Sequence, residues 1–198
     1  MKIVAVVLAA GRASRMGKNK MGLPLGEDTV GNRTVSTALA AEVDHVVVCI
    51  SPYDSATWLY SSNHPYVSIV TSIQAEEGQA HTLRTGVDKA ISLQADAIVV
   101  LLGDQPFIQF SFIQQLIETA KTNPEVLYVA ACFEQKERPP ILFREAIFSD
   151  LMQLKGDEGA RKLVRSQSVK GLTVHSTDEI NFVDLDTKED YTWACKHL

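Results

Sequence analysis

A continuous apolar run that breaks into a small-residue loop and then into spaced cations restricts this chain more than any other feature. Ile3, Val4, Val6, Val7 and Leu8 are mostly β-branched, with no polar residue among them. That is the pattern of a strand covered on both faces in a parallel sheet. At Ala9, Ala10 and Gly11 the backbone can turn tightly and bring its N–H groups against an anionic ligand, where larger side chains would collide. Arg15, Lys18 and Lys20 then supply positive charge. Ligands of open α/β sheets bind beyond the carboxyl ends of the strands, so this loop predicts a phosphate site. It is not a Walker A loop or a dinucleotide G-x-G-x-x-G loop. Taken alone, the stretch also fits a strand followed by an ordinary solvated loop.

The 198 residues suit one α/β domain over 1–198 with a sizeable core. A net charge of −5 argues against nucleic-acid binding, whose footprint would be basic. A basic loop on an acidic chain suits a small anionic ligand instead. Apolar runs of about eight residues fall short of the ~20 needed to span a bilayer, so no membrane association is expected. Lys2 with Ile3 to Ala10 faintly mimics a signal peptide, but the run is short and continues into Arg12, Arg15 and Lys18. Cys49, Cys132 and Cys195 are odd in number and form no C-x-x-C pair. They predict reduced thiols of a cytoplasmic protein, none with a chemical role.

Further along, Glu27 to Arg33 is turn-like, and Thr34 to Val43 has helical apolar spacing. His45 to Ile50 predicts a second buried strand, with one helical turn around Ala56 to Tyr60 and a short strand over Val67 to Ile73. Strand, helix and strand without hairpin dipeptides predict βαβ units with right-handed crossovers. Gly78 and Thr82 stand at the mouth of a helix continued by Val87, Ala90 and Ile91, a second place for an anion or a base edge. Thr82 and Arg84 could equally be plain helix residues. Ala97 to Leu102 is the most apolar strand and is closed by Gly103-Asp104-Gln105-Pro106. An aspartate there faces the same crevice as the first loop, and Mg²⁺ favours one or two carboxylates plus phosphate oxygens. On spacing alone, Asp104 could also be a turn former before proline.

The second half predicts a helix opened by a capping box at Ser111 to Gln114, and a strand over Leu127 to Cys132. Phe133 to Arg138 should be exposed, and Ala146 to Leu154 helical. Asp157 would cap the next helix. Short strands follow over Leu172 to His175 and Ile180 to Val183, and Thr187 with Asp190 forms a capping box for the last helix.

Leu8-Ala9-Ala10-Gly11-Arg12-Ala13-Ser14-Arg15-Met16-Gly17, with Lys20 and Leu23-Pro24-Leu25, resembles the signature of MobA-like nucleotidyltransferases, and within them the cytidylyltransferases of molybdenum cofactor synthesis. The resemblance runs from Ile3 to about Tyr191, through Gly103-Asp104-Gln105-Pro106, Gly156-Asp157-Glu158-Gly159-Ala160-Arg161 and Asp184-Leu185-Asp186-Thr187. Gln79, Ala80 and His81 depart from its G-M-S-x-S-L-R-x-G string, and Glu137-Arg138-Pro139 replaces a glycine-containing turn bordering the pterin.

The resemblance implies a Rossmann-like, mostly parallel sheet with helices on both faces, of the nucleotide-diphospho-sugar transferase type. It implies that Arg15 and Lys20 stabilise charge in catalysis. Leu8, Ala9, Ala10, Gly11, Arg12, Gly78, Thr82 and Asp104 would bind nucleotide, and Asp104 with Asp186, preferred over Asp184, would hold Mg²⁺ or Mn²⁺. The donor would be CTP and the acceptor molybdenum-loaded molybdopterin, with a client molybdoenzyme or its chaperone receiving the product. Ala10 resembles the cytidylyl form, whereas guanylyl-transferring relatives have glycine there. A phosphate nucleophile, with a second pKa near 6, is already largely dianionic at pH 7 and needs no base. No catalytic His or Cys is therefore expected, and the five histidines show no ligand spacing. Guanylyl transfer, a sugar- or alditol-phosphate acceptor, or a non-catalytic nucleotide-binding partner remain alternatives.

Overall fold

The computed structural model describes residues 1–11, 20–165 and 169–198. Arg12, Arg15 and Lys18 lie outside the described residues. The chain begins with β1 (Ile3–Leu8), a small hairpin of β2 (Pro24–Leu25) and β3 (Asp28–Thr29), α1 (Val30–Ala40), β4 (His45–Ile50), β5 (Val67–Thr71) and α2 (Gln79–Ser92). It continues through β6 (Ala97–Leu102), α3 (Phe110–Thr122), β7 (Tyr128–Phe133), β8 (Lys136–Arg144), α4 (Phe148–Met152), α5 (Arg161–Arg165), β9 (Gly171–His175) and α6 (Lys188–Ala194).

Among the described residues the main sheet has seven strands in the order β5-β4-β1-β6-β8-β7-β9. β5, β4, β1 and β6 run parallel to one another and β7 runs parallel to β9, while β8 is antiparallel to both β6 and β7. The expected single-domain, mostly parallel α/β architecture is what forms.

β1 shows why its sequence lacks polar residues. Ala5 and Val7 pack with Val35 and Ala38 of α1 and Ile113 and Leu116 of α3. Val4 and Val6 pack on the other face with Leu83, Val87 and Ala90 of α2 and Leu151 of α4. Both faces are buried, so both sets of alternating residues must be apolar. Each fully buried Val or Leu contributes about 1.5–3 kcal/mol. Gly86 lets α2 approach closely, because a Cβ there would overlap Val6 and stand 2.9 Å from Cys49 Sγ. Cys49 is fully buried, which pushes its thiol up to about 12, so it is inert. No helix of the described residues is long and apolar enough to cross a membrane.

Several local expectations are corrected. α1 starts at Val30 rather than Thr34, because Thr29 Oγ1 accepts from Asn32 N at 3.2 Å and caps the helix earlier. The short helical turn lies at Tyr60–Asn63 rather than around Ala56 to Tyr60. α3 has no side-chain cap at Gln109, whose own N–H donates to Asn181 Oδ1 at 2.9 Å, and Ser111 falls inside the first turn. Phe133 to Arg138 forms a tight β7–β8 hairpin through Glu134 and Gln135, at φ 48° and 60°. Adjacent left-handed residues match the right-handed twist of hairpin strands. The helix expected over Ala146 to Leu154 is split into a 3₁₀ turn, Glu145–Ile147, and α4. Ile180 to Val183 is no strand; a 3₁₀ turn, Glu179–Phe182, forms there, capped by Asp178.

Candidate active site

The carboxyl ends of β1 and β6 lie side by side. Gly103 N donates to Leu8 O at 3.0 Å, which places Asp104 beside the loop that leaves β1. Leu185 N donates to Asp104 O at 3.1 Å and brings the Asp184–Asp186 segment back across the chain. The Thr187–Asp190 capping box is present, and Asp190 Oδ2 accepts from Asp186 N at 3.1 Å, so the start of α6 holds this segment in place. Tyr191 Oη donates to Pro24 O at 2.6 Å and joins α6 to the chain just after Lys20.

Lys20 is the centre of the cluster. Its ammonium lies 2.5 Å from Asp104 Oδ2 and 2.9 Å from Asp186 Oδ1. Burial by itself would lower the lysine pKa, but the charges and hydrogen bonds of Asp104 and Asp186 outweigh it and raise it. The ammonium therefore stays charged at neutral pH. Asp184 points elsewhere, accepting from Gln105 Nε2 at 2.8 Å. Burial, then the charges of Asp104 and Asp186, push its carboxyl up to about 6, against the opposing pull of Gln105 and Lys20. Sequence reasoning left Gln105 unassigned, and only its place two residues past Gly103 hinted at it.

Beside this cluster opens a cleft of about 560 Å³ lined by Leu8, Ala10, Gly11, Gly78, Thr82 and Asp104. Six residues nominated from three separate stretches thus share one cavity. Ala9 is buried with its N–H donated to Cys49 O at 2.9 Å, and it does not line the cleft. Arg84 instead faces a second cavity of about 410 Å³ and donates to His81 Nδ1 at 2.7 Å.

The cleft also contains Gln79 and Asp157. Asp157 caps no helix, since α5 begins only at Arg161. Its segment is pulled to the cleft by Ala80 N, which donates to Gly156 O at 3.0 Å. Gly78 makes this approach possible: φ is 127°, and a Cβ there would overlap the Gly156 backbone. Backbone strain of that kind costs about 1–3 kcal/mol, and for a chain of this length each kcal/mol moves Tm by about 2–4 °C. Gly78→Ala is expected to lower Tm by several degrees; an unchanged melting curve would show that the 156–157 segment yields freely.

Asp104 and Asp186 approach one cation position from opposite parts of the chain. Among the described residues no group of three or more His, Cys, Asp or Glu is gathered to hold a metal. Two carboxylates nevertheless suit a hard ion that completes its shell with phosphate oxygens and water, and in this structure the Lys20 ammonium bridges them.

A parallel sheet with a small-residue loop, a basic residue and carboxylates at its carboxyl edge defines a nucleotidyltransferase-type site. The chain belongs to the MobA-like NTP transferase family, whose domain model matches residues 5–171. It is 38% identical over 196 residues to the purine catabolism protein PucB of Bacillus subtilis, covering 96% of this chain and 94% of that one. It is 24% identical to a molybdenum cofactor guanylyltransferase of Xanthomonas euvesicatoria, over 94% of this chain and 91% of the relative. Rv0371c of Mycobacterium tuberculosis, solved as a manganese complex, superimposes over the full length of both chains with a TM-score of 0.79 and 26% identity.

Proposed function

We propose that residues 1–198 form one cytoplasmic nucleotidyltransferase domain that moves CMP from CTP to a molybdopterin-type phosphate, releasing pyrophosphate. The observation that carries this reading is the junction of Lys20 with Asp104 and Asp186 at the rim of the Leu8–Gly11 cleft. A terminal phosphate oxygen of the acceptor forms a bond to the α-phosphorus of the nucleotide, and the bond to the bridging α–β oxygen breaks. The acceptor is anionic already, so the chain needs no general base. Its residues must instead bring two anions together and stabilise charge at phosphorus.

The small-residue loop at Ala10 and Gly11 would support the triphosphate through backbone N–H groups, with Arg12 as a further nucleotide contact and Lys20 and Arg15 neutralising its charge. Gly78 and Thr82 line the same cleft and would meet the base and sugar. Asp104 and Asp186 would hold a divalent ion, Mg²⁺ or Mn²⁺, which would supply further charge neutralisation at the phosphates. The product passes to a client molybdoenzyme or its chaperone.

Guanylyl transfer is the second reading, favoured by the guanylyltransferases among the relatives. The cytidylyl reading is supported by Ala10, which lines the cleft and whose methyl would crowd a purine more than a pyrimidine. A pyrophosphate-release screen of four NTPs, with and without molybdenum-loaded molybdopterin, separates the two and also exposes a non-catalytic binder. Wild-type preference for GTP would defeat the cytidylyl assignment. A methyl-sized change in a pocket is worth only about 1–3 kcal/mol. Ala10→Gly should therefore lower the CTP-over-GTP ratio in kcat/KM by about 10-fold without inverting it, and an unchanged ratio would move the specificity to other residues.

A further inference from the structure

Lys20 occupies a place at odds with a residue that has to meet a triphosphate. Its ammonium fills the position at which Asp104 Oδ2 and Asp186 Oδ1 converge, 2.5 and 2.9 Å away. A divalent ion ligated by Asp104 and Asp186 would draw on the same two carboxylates and would bring its charge within a few ångströms of the ammonium. Two cations cannot share the position without strong repulsion.

We propose that Lys20 is a built-in surrogate cation that closes the metal position while no triphosphate is bound, so that the divalent ion and the nucleotide enter as one coupled event. The triphosphate draws the ammonium off the two carboxylates, and the metal takes its place. This rests on the assignment of Asp104 and Asp186 as metal ligands made above.

The surroundings fit such an exchange. The Lys20 side chain is only 10% exposed, so it is no freely rotating surface lysine. Its backbone is held in the 3₁₀ turn Lys20–Gly22, with Leu23 N donating to Lys20 O at 3.2 Å and Val30 N to Leu23 O at 3.0 Å. Movement is thereby confined to the four-carbon stem, and Asp104, its nearer partner, itself lines the nucleotide cleft. Without a cation the carboxylates of Asp104 and Asp186 would face each other uncompensated. Whatever Lys20 contributes to quieting that repulsion must be given up when a metal binds alone. By linkage, anything that removes Lys20 from the carboxylates raises metal affinity, and the metal in turn releases Lys20.

Mn²⁺ is the probe, titrated by electron paramagnetic resonance into the full-length protein with and without α,β-methylene-CTP as a non-reacting triphosphate. Wild type is compared with Lys20→Met, with Lys20→Gln as a second neutral variant in case the first fails to fold, and with Asp104→Asn. Without nucleotide, the Lys20 variants should bind Mn²⁺ about 10-fold or more tighter than wild type, within the 5–150-fold span usual for coupled sites. The tightening produced by the triphosphate analogue should be smaller in the variants. In chelator both variants should melt below wild type, and Mn²⁺ should restore them by the larger margin. Variants that melt early but bind Mn²⁺ no more tightly than wild type would overturn the inference and leave Lys20 a static ion-pair partner. If Asp104→Asn takes up as much Mn²⁺ as wild type, the ligand assignment itself falls, and the inference falls with it.

Discussion

Asp104→Asn is expected to fold like the wild type and to lose metal-dependent turnover, with kcat for pyrophosphate release reduced by about 10²–10³ or more, the cost of removing one preorganised charge contact at a reacting centre. The asparagine keeps the shape of the carboxylate, and the backbone carbonyl of residue 104 still accepts from Leu185 N. The loss should therefore appear in rate and metal dependence rather than in Tm. Steady-state kinetics over a Mg²⁺ and Mn²⁺ titration, beside a melting curve, check it. An unchanged kcat would mean that Asp104 only turns the chain before Pro106.

Lys20→Ala should cost a similar ~10²–10³ in kcat/KM, because the site loses the cation facing the triphosphate and the charge that develops at phosphorus. Its effect on stability should exceed that of Asp104→Asn in metal-free buffer, since Asp104 and Asp186 both lose the same partner. Arg15→Ala tests the other cation of the loop. If both variants stay within about threefold of wild type, the β1 loop has been misread. Slower turnover together with tighter metal binding in the Lys20 variants would place both properties on one ammonium.

Much of the site could be found in the chain before any coordinates. Leu8, Ala10 and Gly11, Gly78 and Thr82, and Asp104 come from three stretches, each marked by a change from buried apolar residues to small or hydroxyl ones, and they line one cleft. What escaped notice was local structure that depends on distant contacts. Asp157 had every local sign of a helix cap, yet the Ala80–Gly156 hydrogen bond draws its segment to the cleft wall. Ser111 looked like the start of a helix, but the chain enters α3 from Gln109, held by Asn181. Gln105 gave no signal beyond its place after Gly103, because a glutamine beside a carboxylate is informative only once Asp184 is known to lie 2.8 Å away.

By itself the sequence determined the alternating buried strands and helices, the loop at the end of β1 and the aspartate at the end of β6. Hydrophobic periodicity and small-residue turns report burial and backbone freedom directly, within a window of a few residues. The tertiary structure alone decided that β8 runs antiparallel between β6 and β7, and that Ala9 turns its N–H to Cys49 rather than to a ligand. It also decided that Lys20 meets Asp104 and Asp186, residues 84 and 166 positions further along the chain. Such contacts follow from which faces bury against one another and where the chain returns over the sheet, and no local pattern of residues contains that information.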